Sequence, residues 1–488
     1  MNQKYALVLL LSAFLQLSSF TARTQEPRQY LGATLKRYGN WAEVKTVDYT
    51  VNGHRDAGAQ GKTYKSGERQ AYKAKRVYDF PGKKLYETNL NTFPGGYVFH
   101  FANTVKDTVA YSYDIDGTRG GRVYNTGTRA VAETRMKVIG NHIAYFKVLE
   151  LFQSSDSLVL HPVRDTARYT VIERFNPQKV SIGHYYFSGQ TGLLEKVTSR
   201  QGTQELALQY SGYGMKNGML HNREVTLMLN GKNNYEEKIV INRINFVFDD
   251  ATLAIPAGYT PNKPVPPSQP LLIGKDIYLI ERLAGDRNVL FVNMDSFIVV
   301  IEAPVSSDLS KQVIAKIREV VPNKPIRYVF TTHYHSDHTG GLRQYVHEGA
   351  QLIMAVPAQA YVKDLLTADQ PDDLGKSGRK SAEFITVKGK YVLEDQHHRI
   401  EFYEVQNTHA DGMALAYFPN EKLIYQGDLL SVPLDGTLPY ALQVTKDMQR
   451  FLTDKKLVFE RMIGHHGHHG ITNAMLRQIL QRQPPRIK

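Results

Sequence analysis

Residues 331–341 read TTHYHSDHTGG, and this stretch constrains the chain more than any other. It places His333, His335, Asp337 and His338 within six positions. Imidazole is the commonest metal ligand among side chains, and a carboxylate beside it suits a hard or borderline cation such as zinc. In a loop at a strand end, His333 and His335 point one way while Asp337 and His338 turn toward a second point. That spacing suits two ions rather than one. A fold that can use it must bring several strand ends to one place.

The chain has 488 residues, which favours two domains over one. It is 42% hydrophobic and 22% charged, the ordinary balance of a soluble globular protein. Residues 1–24 read as a secretory signal peptide: Lys4 precedes the apolar run Tyr5 to Leu17, and the small residues Ala22 and Thr24 predict cleavage before Gln25, with Thr21 as the alternative. The expected location is therefore periplasmic or secreted. The chain has no cysteine, so it uses no disulfide and no lipid anchor through cysteine. No other apolar run reaches membrane-spanning length. The net charge of +13 is dispersed, as in KAKRVYDFPGKK and SGRKSAEF. Without a dense basic run or an aromatic-basic motif, a nucleic-acid partner is not expected.

Residues 25–258 read as a β-rich antiparallel accessory domain. A short helix, QYLGATLKRYG, opens it. Alternating segments such as KTVDYTV, QAYKAKRVYDF, YVFHF and DTVAYSYDI follow, with tyrosine and β-branched residues at period two. Turn signals separate them, among them Pro94-Gly95-Gly96 and Asp116-Gly117. Asp114 and Asp116 lack the further ligands of a calcium loop and read as a hairpin turn. One longer helix is predicted from Arg129 to Phe152, with Val131, Ile139, Ile143 and Phe146 near one face. The segment TPNKPVPPSQP, within the linker 259–270, favours an extended spacer. Residues 271–488 then alternate strands and helices, as in layered α/β proteins. His397 and His398 fall just before a strand and read as surface residues. Tyr334 and Ser336, which alternate with the histidines, face structure or substrate. Residues 431–443, SVPLDGTLPYALQ, form a substrate loop or an ordinary connection.

HxHxDHxGG, residues 333–341, resembles the signature of the metallo-β-lactamase fold superfamily. The resemblance extends over roughly residues 271–470 and implies an αββα sandwich. It also implies three further ligands. His409, in NTHADGMALAYF, resembles the third histidine of the first metal site, and Asp428, in YQGDLL, resembles the bridging aspartate. RMIGHHGHHG resembles the terminal His-Gly; alignment on His-Gly selects His466, alignment on Gly-His selects His465, and His469 also precedes a glycine. His466 is preferred, leaving His465, His468 and His469 as an exposed polar loop. By this resemblance His333, His335 and His409 hold one ion, Asp337, His338 and His466 hold the other, and Asp428 bridges. Zinc is the first expectation, with iron or manganese suited to the carboxylates. The first half loosely resembles lipoprotein-carrier-like half-barrels, which implies an apolar or lipid-like ligand there.

The resulting expectation is an exported dinuclear hydrolase that uses a bridging hydroxide on an ester, lactone, thioester or phosphoester, with Asp337 as ligand and proton acceptor. The alternatives are a mononuclear iron oxygenase of the same fold and an apolar-ligand-binding protein with a vestigial metal site. All seven ligand candidates lie after residue 330, so the chemistry is expected to need no atom from the first half.

Overall fold

The computed structural model describes residues 26–154, 158–161, 168–202, 204–263, 265–368, 372–375 and 380–483. The expected signal peptide lies outside them. The chain divides into two compact units, Met1–Val44 with Lys137–Asn234, and Lys45–Met136 with Tyr235–Lys488. A single boundary at 259–270 is thus not where the units part. Residues 45–136 cluster with the C-terminal sandwich, and the physical reason is packing: Tyr97 is buried in the same apolar cluster as Met448, Leu452 and Leu476.

The sandwich has four layers. Its first sheet runs, in spatial order, Leu271–Gly274, Ile277–Leu283, Arg287–Asn293, Ile298–Ile301, Ile326–Phe330, Gln351–Ala355 and Phe384–Val387. The first four strands pair antiparallel and the rest parallel. Ile298–Ile301 is buried along its whole length, as a strand covered on both faces must be. The second sheet runs Lys390–Glu394, Arg399–Glu404, Ala414–Phe418, Leu423–Gln426 and Arg461–Gly464. Val299, Ile301, Phe330 and Ile353 of the first sheet meet Ile400, Phe402, Ala416 and Tyr425 of the second in one dry core. The outer face of the first sheet packs on the helices Ser307–Val320, Leu342–His347 and Val356–Thr367. That of the second packs on Gln443–Asp454 and Asn473–Leu480. The fold is therefore the αββα sandwich. Helix Ser307–Val320 shows how locally the sequence specifies it. Ser306 caps the first turn by accepting from the Leu309 amide at 3.3 Å. Asp308 lies at its positive end and Arg318 at its negative end.

Within the same unit, Thr46–Asp56, Arg69–Asp79, Lys84–Phe93, Tyr97–Lys106, Val109–Asp114 and Val123–Gly127 form an antiparallel meander. The tip between the third and fourth strands is Pro94–Gly96. The turn after Val109–Asp114 is built on the Asp114 carboxylate, which accepts from the amides of Asp116, Arg119 and Gly120 at 3.0, 2.7 and 3.3 Å. Asp114 thus serves the turn.

The other unit holds a second meander, Tyr169–Phe175, Ser181–Ser188, Leu194–Gln201, Gln204–Ser211 and Glu224–Leu229, with Leu158–His161 at one edge. Helices Pro27–Arg37 and Ala144–Gln153 pack together beside it. The single helix expected from Arg129 to Phe152 is three pieces, Arg129–Lys137, Ile139–His142 and Ala144–Gln153. Ile143 is extended at φ −120°, ψ 107°. Asn222 stabilises this break: its Oδ1 accepts from the Ala144 amide at 2.9 Å, and its Nδ2 donates to the His142 carbonyl at 2.8 Å. Periodicity alone cannot foresee an interruption supported by a residue so distant in sequence.

Candidate metal centre

The strand Ile326–Phe330 ends in the loop carrying His333 and His335, and Ser336–Thr339 is a single helical turn carrying Asp337 and His338. Gly340 and Gly341 follow because the backbone there lies against its neighbours. A Cβ on Gly340 would stand 2.2 Å from the Val305 carbonyl oxygen, and one on Gly341 would stand 2.0 Å from the Ser310 hydroxyl. The loops after Arg399–Glu404, Leu423–Gln426 and Arg461–Gly464 bring in His409, Asp428 and His466. All seven sequence candidates therefore converge.

They do so in two sets. Ligand-capable atoms of His333, His335, His409 and Asp428 lie within 4.8 Å of one another, as do those of Asp337, His338, Asp428 and His466. Asp428 belongs to both. Its Oδ2 lies 3.5 Å from His409 Nε2, while its Oδ1 lies 3.3 Å from His338 Nε2 and 3.7 Å from His466 Nε2.

Each ring has one nitrogen tied outward. His335 donates from Nε2 to the Gly61 carbonyl at 3.0 Å, and His409 donates from Nδ1 to the Pro94 carbonyl at 3.0 Å. Nδ1 of His333 meets Thr332 Oγ1 at 3.2 Å, that of His338 meets Glu302 Oε1 at 3.3 Å, and that of His466 meets Asp286 Oδ2 at 3.1 Å. The opposite nitrogens of His333, His335, His338 and His409 are buried without a hydrogen-bond partner, as is Asp428 Oδ1. Buried polar atoms are seldom left so. Outward anchoring that fixes each tautomer and aims the free nitrogen inward is what a bound cation requires. The donor set of imidazoles and carboxylates fits divalent ions of the zinc, iron or manganese kind.

The electrostatics of the side chains themselves agree. Burial, reinforced by the His409 charge, pushes His335 down to about 3, and burial likewise lowers His333. Burial opposes charge on His466 and His338 as well, but there the carboxylates prevail. Asp428 and Asp286 lift His466 to about 9, and Glu302, Asp428 and Asp337 raise His338. Burial raises Asp337 and Asp428, yet the facing His338 and His466 charges hold both well below the carboxylate range. In the first set His333 and His335 thus favour the neutral imidazole, and in the second His338 and His466 favour the cationic ring facing carboxylates.

Several neighbours were not legible in the sequence. Gln60 Nε2 donates to Asp337 Oδ1 at 3.2 Å. Tyr97 donates from its hydroxyl to the Asp428 carbonyl at 2.6 Å. Gly95, at φ +85°, lets the hairpin tip lie on His409, where a Cβ would be 3.0 Å from the histidine Cβ. Residues 60–97 thus supply direct contacts, contrary to the expectation that the first half contributes no atom. The reason is the meander's place in the same compact unit, which puts its loops over the ligand loops. Arg287 Nη2 stands 4.0 Å from Asp337 Oδ2. Glu302 is fully buried and accepts from the Thr332 hydroxyl at 2.5 Å. The only sequence signal for it was a lone carboxylate ending the apolar strand IVVIEA.

Two readings of other histidines change, and the side chains beside the ligands find their places. His465 is fully buried: its Nδ1 donates to the Asn288 carbonyl at 3.0 Å, and its ring centroid is 4.2 Å from that of His338. It is not part of an exposed loop, and the strand Arg461–Gly464 carries it into the core. Of His465 and His466, only His466 shares a cluster with both carboxylates. His398 is also buried, beside Asp395, while His397 pairs with Asp295 at 2.6 Å. Tyr334 sits in the core and donates to the Gly61 carbonyl, whereas Ser336 is exposed.

A hollow of about 300 Å³ opens over the cluster, with Asp337, His409, Asp428 and His466 at its floor and Phe93, Tyr97, Phe99 and Phe101 among its walls. Arg119 and Arg287 also line it.

Residues 283–482 match the family model of the Metallo-beta-lactamase superfamily, and the C-terminal sandwich is a domain of that superfamily. No curated protein matches the chain. Among solved structures, the chain is similar to the flavodiiron protein from Giardia intestinalis, at 17% identity over 43% of this chain and 58% of that one, with a TM-score of 0.33. It is similar to a metallo-beta-lactamase from Pontibacter korlensis at 14% identity over 44% and 99%, TM-score 0.35. It is also similar to the stereoselective inverting sec-alkylsulfatase Pisa1 from Pseudomonas sp. at 15% identity over 43% and 40%, TM-score 0.33. The matched part spans 58% of the flavodiiron protein and 40% of the alkylsulfatase.

Proposed function

We propose that this protein is an exported dinuclear metal-dependent hydrolase acting on an ester, lactone, thioester or phosphoester. The observation that carries the reading is Asp428, which turns one carboxylate oxygen toward each of two sets of inward-aimed donors. His333, His335 and His409 would hold one ion, Asp337, His338 and His466 the second, with Asp428 shared. Zinc is the first choice, and iron or manganese suits the same donors. When bound, such a pair supplies Lewis acidity and a nucleophilic water near neutral pH. A mononuclear iron oxygenase would leave the second set without a task.

The chain's own residues do the rest. Arg287 and Arg119 line the hollow and favour an anionic group or the negative charge that builds on an acyl or phosphoryl oxygen. Phe93, Phe99 and Phe101 exclude water from that charge, which strengthens its interaction with the cations. Gln60 fixes one oxygen of Asp337, which is positioned to take a proton as the leaving group departs. Tyr97 fixes the loop of Asp428.

Elemental analysis of the reconstituted full chain should give close to two divalent ions, and chelation should abolish turnover on a panel of chromogenic esters, lactones, thioesters and phosphodiesters. One ion or fewer at saturation defeats the dinuclear reading. Two ions with no turnover on any of the four classes defeats the hydrolase reading.

A further inference from the structure

A second hollow, of about 400 Å³, adjoins the one over the cluster, and the two share Arg119 and Ser431. Its size falls within the range of small-molecule pockets. Its lining is mainly apolar and comes from two sources. Leu90 and Val98 belong to neighbouring strands of the meander, and Pro439, Tyr440 and Leu442 belong to the loop after Asp428. The strand register explains the division between the two hollows. Leu90 pairs with His100, and Val98 lies two residues from His100, so these three share one sheet face. Tyr97, Phe99 and Phe101 alternate with them and line the hollow over the metal ligands.

Arg119 stands at the junction. Its guanidinium carbon lies 4.3 Å from the Tyr97 ring centroid and 4.4 Å from that of Phe99. Its backbone is held by the Asp114 turn. Its Nε is buried with no hydrogen-bond partner among the described residues. Arg122, three residues further on, is tied to the opposite loop, its amide donating to Asp435 Oδ2 at 3.0 Å. The turn and the loop therefore fix the shared wall from both sides. An apolar hollow beside a polar centre, with the Arg119 side chain on the wall they share, is the shape of a site for an apolar arm that ends in an oxygen acceptor.

We propose that this second hollow binds the apolar acyl arm of a carboxylic ester, with Arg119 donating to an oxygen of the acyl group; the assignment rests on the hydrolase reading above. Hydrolysis joins water oxygen to the acyl carbon and breaks the bond from that carbon to the ester oxygen. The leaving alcohol takes the proton, and the carboxylic acid remains in the hollow. Leu90, Val98 and Leu442 set the length of arm accepted. The meander thereby selects substrate, although most of the ligand chemistry lies after it.

The test uses the full-length, metal-loaded protein and 4-nitrophenyl esters from acetate to decanoate. Catalytic efficiency, kcat/KM, should rise about fourfold per methylene, the factor that burying one methylene supplies, until the hollow is full. Val98→Phe and Leu90→Phe should move the optimum to shorter arms. A second measurement does not need turnover: octanoate titrated into chelator-treated protein should bind with a negative heat-capacity change, and acetate should not. Either phenylalanine variant, provided it retains the wild-type circular dichroism, should weaken octanoate at least tenfold. Hydrolysis with no dependence on arm length overturns the proposal, as does octanoate binding that both variants leave intact. Octanoate bound and blocked by the variants, without hydrolysis of any ester, keeps the apolar site and removes the ester hydrolase reading alone.

Discussion

Glu302 offers the sharpest perturbation of the centre, because one buried carboxylate orients a histidine of each set. Its Oε1 accepts from the Thr332 hydroxyl and faces His338 Nδ1 at 3.3 Å. Since that hydroxyl donates to Glu302, its oxygen is free to accept from His333 Nδ1 at 3.2 Å. His338 is thus held directly and His333 through one intermediate. Glu302→Gln keeps the shape and removes the charge. A hydrogen bond to a charged acceptor contributes about 1.5–3 kcal/mol and one to a neutral acceptor about 0.5–1.5 kcal/mol. The difference, on the order of 1–1.5 kcal/mol, is roughly tenfold in affinity. It falls directly on the ion held by His338 and in weakened form on the ion held by His333. Loss of such outer partners commonly costs about 10–100-fold in metal affinity, so the estimate sits at the lower edge of that range. Competition titration against a chelator, with ions counted by elemental analysis, should show the weaker-bound ion leaving at about tenfold lower chelator concentration while the other is retained. The metal-free variant should keep its circular dichroism. Unchanged affinity for both ions, or equal loss of both, refutes the argument that Glu302 acts mainly through His338.

Other perturbations follow from the same geometry. His466→Ala should remove one ion and most activity, whereas His468→Ala should leave both ions in place; a dead His468 variant would mean that the terminal ligand is misassigned. A fragment beginning at Pro270 lacks Gln60, Gly61, Pro94, Tyr97 and Arg119, so it should fail to turn over any substrate of the full chain, and wild-type efficiency from it would show that those contacts are dispensable. Glu87→Gln leaves Arg76 buried without its partner at 2.5 Å and should cost about 3–5 kcal/mol, read as a lowered urea midpoint. Burial pushes Glu87 up, but Arg76, Asn103 and Asn89 hold it below the usual carboxylate range. A depressed folded value means that this stability is present above about pH 4.3 and lost as pH falls through the folded value, so the wild type should lose its margin over Glu87→Gln in acid. For export, mass spectrometry of the secreted protein should find residues 1–24 removed, and a cytoplasmic chain beginning at Met1 would contradict it.

The ligands were readable because metal chemistry fixes both residue type and spacing. Four donors in six positions leave few other uses for that loop, and His409 and Asp428 fall at the ends of strands whose apolar patterns are equally plain. The terminal histidine was harder, since His465 and His466 are adjacent and both buried; only three-dimensional placement separates the ring that faces Asp337 and Asp428 from the ring that donates to Asn288. The groups that aim the ligands carry no such signature. Gly61 and Pro94 act through backbone carbonyls, which any residue supplies, and Asp286 and Gln60 are single polar residues, one in a turn and one at the end of a short 3-10 helix.

The same asymmetry bears on what the meander does. A ligand must be one of a few residue types, but a wall must only be apolar and correctly shaped. Phe93, Tyr97, Phe99 and Phe101 look in sequence like any half-buried strand. Their register against Lys84–Phe93 is what turns one face toward the ligands and the other toward the adjoining hollow. A one-residue slip would exchange those faces, putting Val98 and His100 over the ligands and the aromatic rings into the hollow. That register is held at the hairpin tip by Gly95 against His409 and at the strand start by Tyr97 against the Asp428 carbonyl. The contacts that order the ligand loops therefore also set which side chains a substrate meets. Changes at the tip should alter metal affinity and substrate preference together, whereas changes at Leu90 or Val98 should alter preference alone.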